Sequence, residues 1–228
     1  MEERKTVQFK KDEFSMKESI KKNLGKGKVS RVKIEYTPVG EKIIISTHKP
    51  GLVIGRKGEK IAELTRMLKT KFKLENPHVE IDEIKQPELD AQLMADEIAL
   101  ALERFGPIKF KVVAYRTLQK IINSGALGVE IRLNGKLPSS RAKSWRFAQG
   151  YLKKTGDSAK VVDRAQAKAQ TKPGTVGVKV AILSPYVKLL DKIQIDDELL
   201  KQLKKNMEEP KEEKPKKKTT KPKKEKKK

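Results

Sequence analysis

The stretch HKPGLVIGRKGEKIAEL, residues 48–64, decides how the first half of this chain is read. A short apolar turn, Pro50 to Ile54, runs into Gly55-Arg56-Lys57-Gly58, and a charged helical pattern starts at once. Glycine has no side chain, so at Gly55 and Gly58 the backbone can bend sharply and lie close to a ligand. The first N–H groups of the incoming helix have no partner within it and favour an anion. Arg56 and Lys57 add mobile positive charge at the same spot, and Lys60 follows on the outward side of the helix. These are the parts of a clamp for a sugar-phosphate backbone. Gly-X-X-Gly alone also describes an ordinary turn between helices, so its surroundings must decide.

Before the stretch, DEFSMKESIKKNL (residues 12–24) has a helical pattern that stops at Gly25 and Gly27. Those glycines read as a helix end and not as a phosphate loop, because no strand precedes them and no lysine-threonine pair follows. Val32, Ile34 and Tyr36 then alternate with charged residues, and Ile43, Ile44 and Ile45 form a short run after the turn at Pro38-Val39-Gly40. Beyond the stretch, Ile61, Leu64 and Leu68 make one apolar helical stripe, Asn76-Pro77 breaks it, and Val79 and Ile81 begin another strand. The order is α-β-β-α-α-β, with the glycine loop between two helices in a β-α-α-β frame. That pattern is similar to a KH domain of the type II arrangement, whose Gly-X-X-Gly loop holds a short run of nucleic-acid backbone.

The second half changes character. Pro87 is expected to open a long helix from Glu88 to Phe105 with apolar residues on two sides: Leu89, Leu93 and Leu100, then Met94, Ile98, Leu102 and Phe105. A helix apolar on opposite sides packs between neighbours. After Gly106-Pro107 a further helix runs from Ile108 to about Asn123. Val129, Ile131 and Leu133 alternate before a turn at Asn134-Gly135, the segment SSRAKSWRFAQG reads as basic and irregular, and Val176, Val178, Val180 and Ile182 alternate near the end. In DRAQAKAQ, Ala165, Ala167 and Ala169 face one way and Arg164, Gln166, Lys168 and Gln170 the other. The fold class is therefore α+β: a type II KH domain, then a second α+β domain with two helices on one face of an antiparallel sheet. The expected divisions are an arm over 1–10, the KH domain over 11–86, the second domain over 87–195 and an extension over 196–228, lysine- and proline-rich and disordered from about 208.

Composition narrows the function. Of 228 residues, 54 are Lys or Arg and 30 are Asp or Glu, a formal net charge of +24. Residues 208–228 hold eleven lysines against five carboxylates, a net of +6 that leaves +18 on the residues before them. A folded body with that excess repels itself unless it meets a polyanion, and nucleic acid is the commonest one. There is no cysteine, which removes disulfides, thiol catalysis and Cys-based zinc sites and suits an intracellular setting. No apolar run has the length of a membrane span, and the charged N-terminus lacks a signal-peptide core. Aromatic residues are sparse, so base stacking does not lead the binding. His48 and His78 fit no metal-ligand spacing, the pairs Asp82-Glu83 and Asp196-Asp197 lie at element ends, and no nucleotide-hydrolysing loop is present. No catalytic residue, metal, cofactor or small-molecule substrate is expected.

Longer segments carry a closer likeness. KQPELDAQLMADEIALALERF (85–105), SGALGVEIRLNGKLPSSRAKSW (124–145) and TVGVKVAILSP (175–185) follow the glycine loop in order. Together they resemble the family of the universal small-subunit ribosomal protein number three, in its archaeal and eukaryotic branch, over roughly residues 10–190. The resemblance implies a cytoplasmic, non-enzymatic component of the small-subunit head that binds rRNA, touches neighbouring ribosomal proteins and lines the channel through which mRNA enters. The family's paired cations at that channel fall on Lys111 and Val112, so one is missing. Lys109, Arg116 and Lys120 lie within a narrow arc of the same helix and are candidates for a substitute stripe.

Further cations cluster. Lys136, Arg141, Lys143 and Arg146 share the basic segment, and Arg164 and Lys168 alternate with amides on one strand face, a pattern suited to phosphate and ribose. Trp145 reads as a packing anchor more than a base-stacking surface. Two alternatives stand beside the ribosomal reading. One is a free KH adaptor in ribosome assembly or RNA processing; the other, more remote, is a lysine-based nucleic-acid lyase, whose reactive lysine leaves no spacing signature.

Overall fold

The computed structural model describes residues 2–38, 40–74, 76–187 and 189. The expectations for 196–228, including the tail and the Asp196-Asp197 pair, lie outside the described residues. Helix α1 (Glu2–Leu24) starts earlier than its apolar pattern does, so residues 2–10, expected as an arm, are its first turns. Glu2 and Glu3 at its start and Lys21 and Lys22 at its end match the helix dipole. Ion pairs of Glu13 with Lys10 at 2.7 Å and Lys17 at 2.6 Å brace its exposed part. Only Met16, Ile20 and Leu24, one turn apart, are buried.

Strands β1 (Arg31–Thr37) and β2 (Gly40–Thr47) pair antiparallel, and β3 (His78–Glu83) lies parallel to β2, giving the order β1-β2-β3. Parallel pairing needs a crossover. It is supplied by α2 (Pro50–Ile54) and α3 (Glu59–Phe72), joined by the glycine loop. Ile20 and Leu24 of α1, Val32, Ile43 and Ile45 of the sheet, Val53, Leu64 and Leu68 close one core. The α-β-β-α-α-β order expected for a type II KH domain is the order found.

Pro87 does not open the next helix. Pro87–Leu89 is a single 3-10 turn, and α4 (Ala91–Phe105) begins after Asp90, whose side chain accepts the N–H groups of Gln92 at 2.9 Å and Leu93 at 3.0 Å. The carboxylate satisfies two helix-end donors that proline would have left bare. After another 3-10 turn, Pro107–Lys109, comes α5 (Phe110–Asn123). Strands β4 (Gly128–Gly135), β5 (Lys143–Gly150), β6 (Asp163–Thr171) and β7 (Gly174–Leu183) form an antiparallel sheet in the order β5-β4-β7-β6. Both helices cover one face, with Met94, Ile98, Leu102, Phe110, Leu118 and Ile121 packed on Val129, Ile131, Val178 and Val180. This is the α+β arrangement expected.

Two local expectations fail in this half. The basic segment around Trp145 is not irregular: it is the edge strand β5, in register with β4. Asn134-Gly135, expected as a turn, continue β4 opposite Ser144 and Lys143. Lys143 and Arg146 on either side of Trp145 hid the inward pair Trp145 and Phe147, and pairing to β4 overrode the local turn preference.

Helix α4 serves both halves, but the side with Leu89, Leu93 and Leu100 is only partly covered: Leu93 is buried while Leu100 is 42% exposed, and on the other side Phe105, at the helix end, is 55% exposed. Carboxylates of the second half grip residues 26–31. The Gly27 N–H donates to Asp96 at 3.0 Å, Lys26 reaches Glu103 at 2.7 Å, Arg31 reaches Asp163 at 2.7 Å and the Ser30 hydroxyl donates to Asp90. Burial pushes the Asp96 carboxyl up, while the Gly27 N–H and the Gln92 amide pull it down. Gly27 itself sits at φ +75°, a left-handed turn that lets the loop lie against α4, where a Cβ would come within 2.9 Å of Leu100 Cδ1.

Candidate nucleic-acid interface

The glycine loop has the geometry its sequence requires. Gly55 adopts φ 76°, ψ −177°, and Gly58 is left-handed at φ 79°, ψ 10°. Lys57 between them is also left-handed, at φ 49°. A side chain on Gly55 would collide with Lys60, whose Cγ stands 2.9 Å from the ideal Cβ position. Gly58 caps α3 without any side-chain hydrogen bond; the Glu59 N–H turns back to the Arg56 carbonyl, and no side chain caps the N–H groups that follow. Arg56 and Lys57 are exposed, and no ion pair engages them among the described residues. Lys60 is placed differently: its ammonium donates to the Leu52 carbonyl at 3.2 Å and closes the end of α2. The structure thus brings Gly55, Arg56, Lys57 and Gly58 together and sets Lys60 to holding the loop.

A second cationic surface lies on the open face of the C-terminal sheet. There the register puts Arg146 of β5 opposite Arg132 of β4, Arg132 opposite Lys179 of β7, and Lys179 opposite Gln166 of β6. Glu130, one step along β4 on the same face, is only 4% exposed. Arg132 and Arg146 both donate their Nε to Glu130 Oε1, the latter at 2.8 Å, and Lys154 reaches Oε2 at 2.9 Å. Burial alone would push the Glu130 carboxyl up; the hydrogen bonds from Lys154 and Arg132 outweigh it and hold the group at about 2. Glu130, Arg132, Lys154, Arg164 and Lys179, with Leu152 and Gln166, line a groove of about 370 Å³, and Arg146 lies beside it.

The other expected residues are scattered around these two surfaces. Arg164 and Lys168 are on the open face as their alternation implied, and Arg146 reaches it through β5. Lys136 and Arg141 belong to the loop between β4 and β5, and Lys143 begins β5 on the helix side. On α5 the expected stripe is shortened, because Lys120 pairs with Glu97 at 3.2 Å and Glu88 at 3.8 Å. Arg116 is exposed, Lys109 lies 5.8 Å from the Phe105 ring centre, and Lys111 lies 4.8 Å from that of Trp145. Trp145 packs on Phe110 at 5.3 Å between ring centres, as a packing anchor does. Val112 is 67% exposed.

Sequence reading missed Glu130, Arg132, Lys154 and Lys179 as site residues. The outward alternation of Arg132 and Lys179 was visible, but their alignment needs the strand order.

Two family models match the chain: the KH domain over residues 15–89 and the C-terminal domain of ribosomal protein S3 over residues 98–182. The small ribosomal subunit protein uS3 of Methanocaldococcus jannaschii is 42% identical over 182 residues, covering 79% of this chain and 86% of that protein. The protein of the same name from Methanosphaera stadtmanae is 42% identical over 165 residues, 72% of this chain and 65% of its own length. That of Methanothermobacter thermautotrophicus is 40% identical over 176 residues, 77% and 67% of the two chains.

Proposed function

The chain belongs to the family of the small ribosomal subunit protein uS3, and from that premise we propose that it is a structural, RNA-binding component of the small subunit. It is not an enzyme, and it works in the cytoplasmic ribosome beside other small-subunit proteins. The Gly55–Gly58 loop clamps rRNA backbone with its glycine-bared amides and with Arg56 and Lys57. Lys136, Arg141, Lys143, Arg146, Arg164 and Lys168 contact rRNA phosphate and ribose from the second domain. Lys109, Lys111 and Arg116 on and before α5 face mRNA where it enters, with Lys120 bracing that helix against α4.

The observation that carries this reading is a similarity that runs through both halves of the chain, joined to exposed cations such as Arg56, Lys57 and Arg116 that no carboxylate engages among the described residues. Phosphate contacts of this kind are released by salt, whereas a subunit component is held at many points at once. Sedimentation of cell extract through sucrose after a high-salt wash tests it. The chain is expected to stay with the small subunit. A chain found chiefly free, or only with precursor particles, would overturn the proposal in favour of a free KH adaptor.

A further inference from the structure

The open face of the C-terminal sheet carries more positive charge than its one buried carboxylate needs for its own stabilisation. Three cations from three adjacent strands, Arg146, Arg132 and Lys179, stand directly opposite one another. Like charges in opposed positions destabilise a sheet. Among the described residues one carboxylate, the buried Glu130, sits among them, and it draws Arg132, Arg146 and Lys154 to itself. Lys179 and Arg164 share the groove, and no ion pair engages either among the described residues. One negative charge therefore stands against five positive ones.

We propose that this groove is a built site for two successive phosphodiesters of an RNA backbone, with Glu130 as the positioning residue that aims the Arg132 and Arg146 forks. The inference rests on the RNA-binding reading above and assigns a surface and a geometry to it. Each guanidinium spends only its Nε on Glu130, which leaves the terminal Nη amines of both forks for oxygen acceptors. Arg146 and Lys179 are two strand spacings apart, roughly 10 Å at about 4.8 Å each, room for neighbouring phosphates. Ala148 and Ala181 flank Glu130 in register, so the strands on either side raise only methyl groups there, while Leu152 and Lys154 form one wall of the groove. Gln166 at the end of the cationic row offers an amide to a ribose hydroxyl. No aromatic ring lies on this row, so the site reads backbone and not bases. An acidic protein segment would find the same charges, but the ring-free row of cations at regular strand spacing favours a sugar-phosphate chain.

The test uses the full chain and deproteinised small-subunit rRNA, with affinity measured across salt concentrations and ultraviolet crosslinking of the complex. Arg132→Gln with Lys179→Gln should weaken binding at least about tenfold and reduce the salt slope by about 2, one for each phosphate no longer neutralised. The same charge removed at Lys5 and Lys69 should change the slope less. Glu130→Gln adds a positive charge, so a diffuse field would tighten binding; the built site requires that it weaken. Should that variant fail to fold, Lys179→Gln with Arg164→Gln, which breaks no ion pair within the sheet, carries the same expectation. RNA adducts are expected on the β7 peptide that contains Lys179. Wild-type slope in the sheet variants, tighter binding by Glu130→Gln, or Lys179 crosslinked in intact subunits to a protein and not to RNA would each overturn the site. Failure to sediment with the subunit would instead sink the ribosomal reading and leave these affinities to judge the groove.

Discussion

Ser30, buried just before β1, donates its hydroxyl to Asp90, the residue whose carboxylate also caps helix α4. One side chain thus starts the long helix of the second half and fastens the first half to it. Asp90→Ala should cost about 1 kcal/mol for the cap and a further ~1–3 kcal/mol for the orphaned Ser30 hydroxyl. Asp90→Asn, an equally good cap, should lose less. Urea melts of the two variants measure the difference; equal midpoints would show that neither the cap nor the tether draws stability from the side-chain oxygen.

Glu130 makes stability depend on acid. Its folded-state value of about 2 lies below the ordinary carboxylate value of 4.5, so the proton binds the unfolded chain more readily. The stabilisation it gives is complete above pH 4.5 and is lost as pH falls toward 2. The shift corresponds to about 3 kcal/mol at most, and the half-exposed cations around it, open to solvent screening, lower that figure. The wild type should therefore exceed Glu130→Gln in unfolding free energy at pH 6, with the gap closing by about pH 2. A gap that persists at low pH would mean the glutamine variant is disturbed by packing and not by the missing charge pairing.

The glycine loop should be separable from the fold. Arg56→Asp with Lys57→Asp changes two exposed residues that hold no partner among the described ones, and aspartate tolerates the left-handed backbone at position 57. Melting should stay near that of the wild type, while rRNA affinity falls at least about tenfold and the salt slope drops by about 2. Unchanged affinity would count against the clamp.

What the sequence disclosed and what it withheld follow from how local each feature is. The glycine loop is four consecutive residues whose meaning depends on the helix on either side, so the linear pattern contains nearly all of it. The first sheet was legible for the same reason: Val32 and Ile34 alternate, and Ile43 to Ile45 form a run, each within a single strand. The cationic row on the second sheet is the opposite case. Arg132, Arg146 and Lys179 are 14 to 47 positions apart and meet only because β4 pairs with both β5 and β7. Even β5 was obscured, since Lys143 and Arg146 mask the alternation of Trp145 and Phe147, the two side chains that turn it to the core. Glu130 looked like one more outward charge; only the fold shows that three cations close over it.

Helix α5 gives the last prediction. Lys120 is held by Glu97 and Glu88, so its charge is largely spent within the protein, whereas Lys109 and Arg116 are exposed with no such pair among the described residues. If this helix tracks mRNA, Lys109→Gln with Arg116→Gln should slow translation through a messenger hairpin several-fold more than through an unstructured message. Lys120→Gln should leave that ratio near the wild-type value, and as a surface ion pair it should change stability by less than about 1 kcal/mol. Ribosomes carrying each variant, timed on paired reporter messages with and without a hairpin, supply the ratio. Equal slowing on both messages by the Lys109 and Arg116 variant would assign the helix to structural support. A Lys120 effect as large as theirs would mean that its pairing with Glu97 opens when messenger arrives.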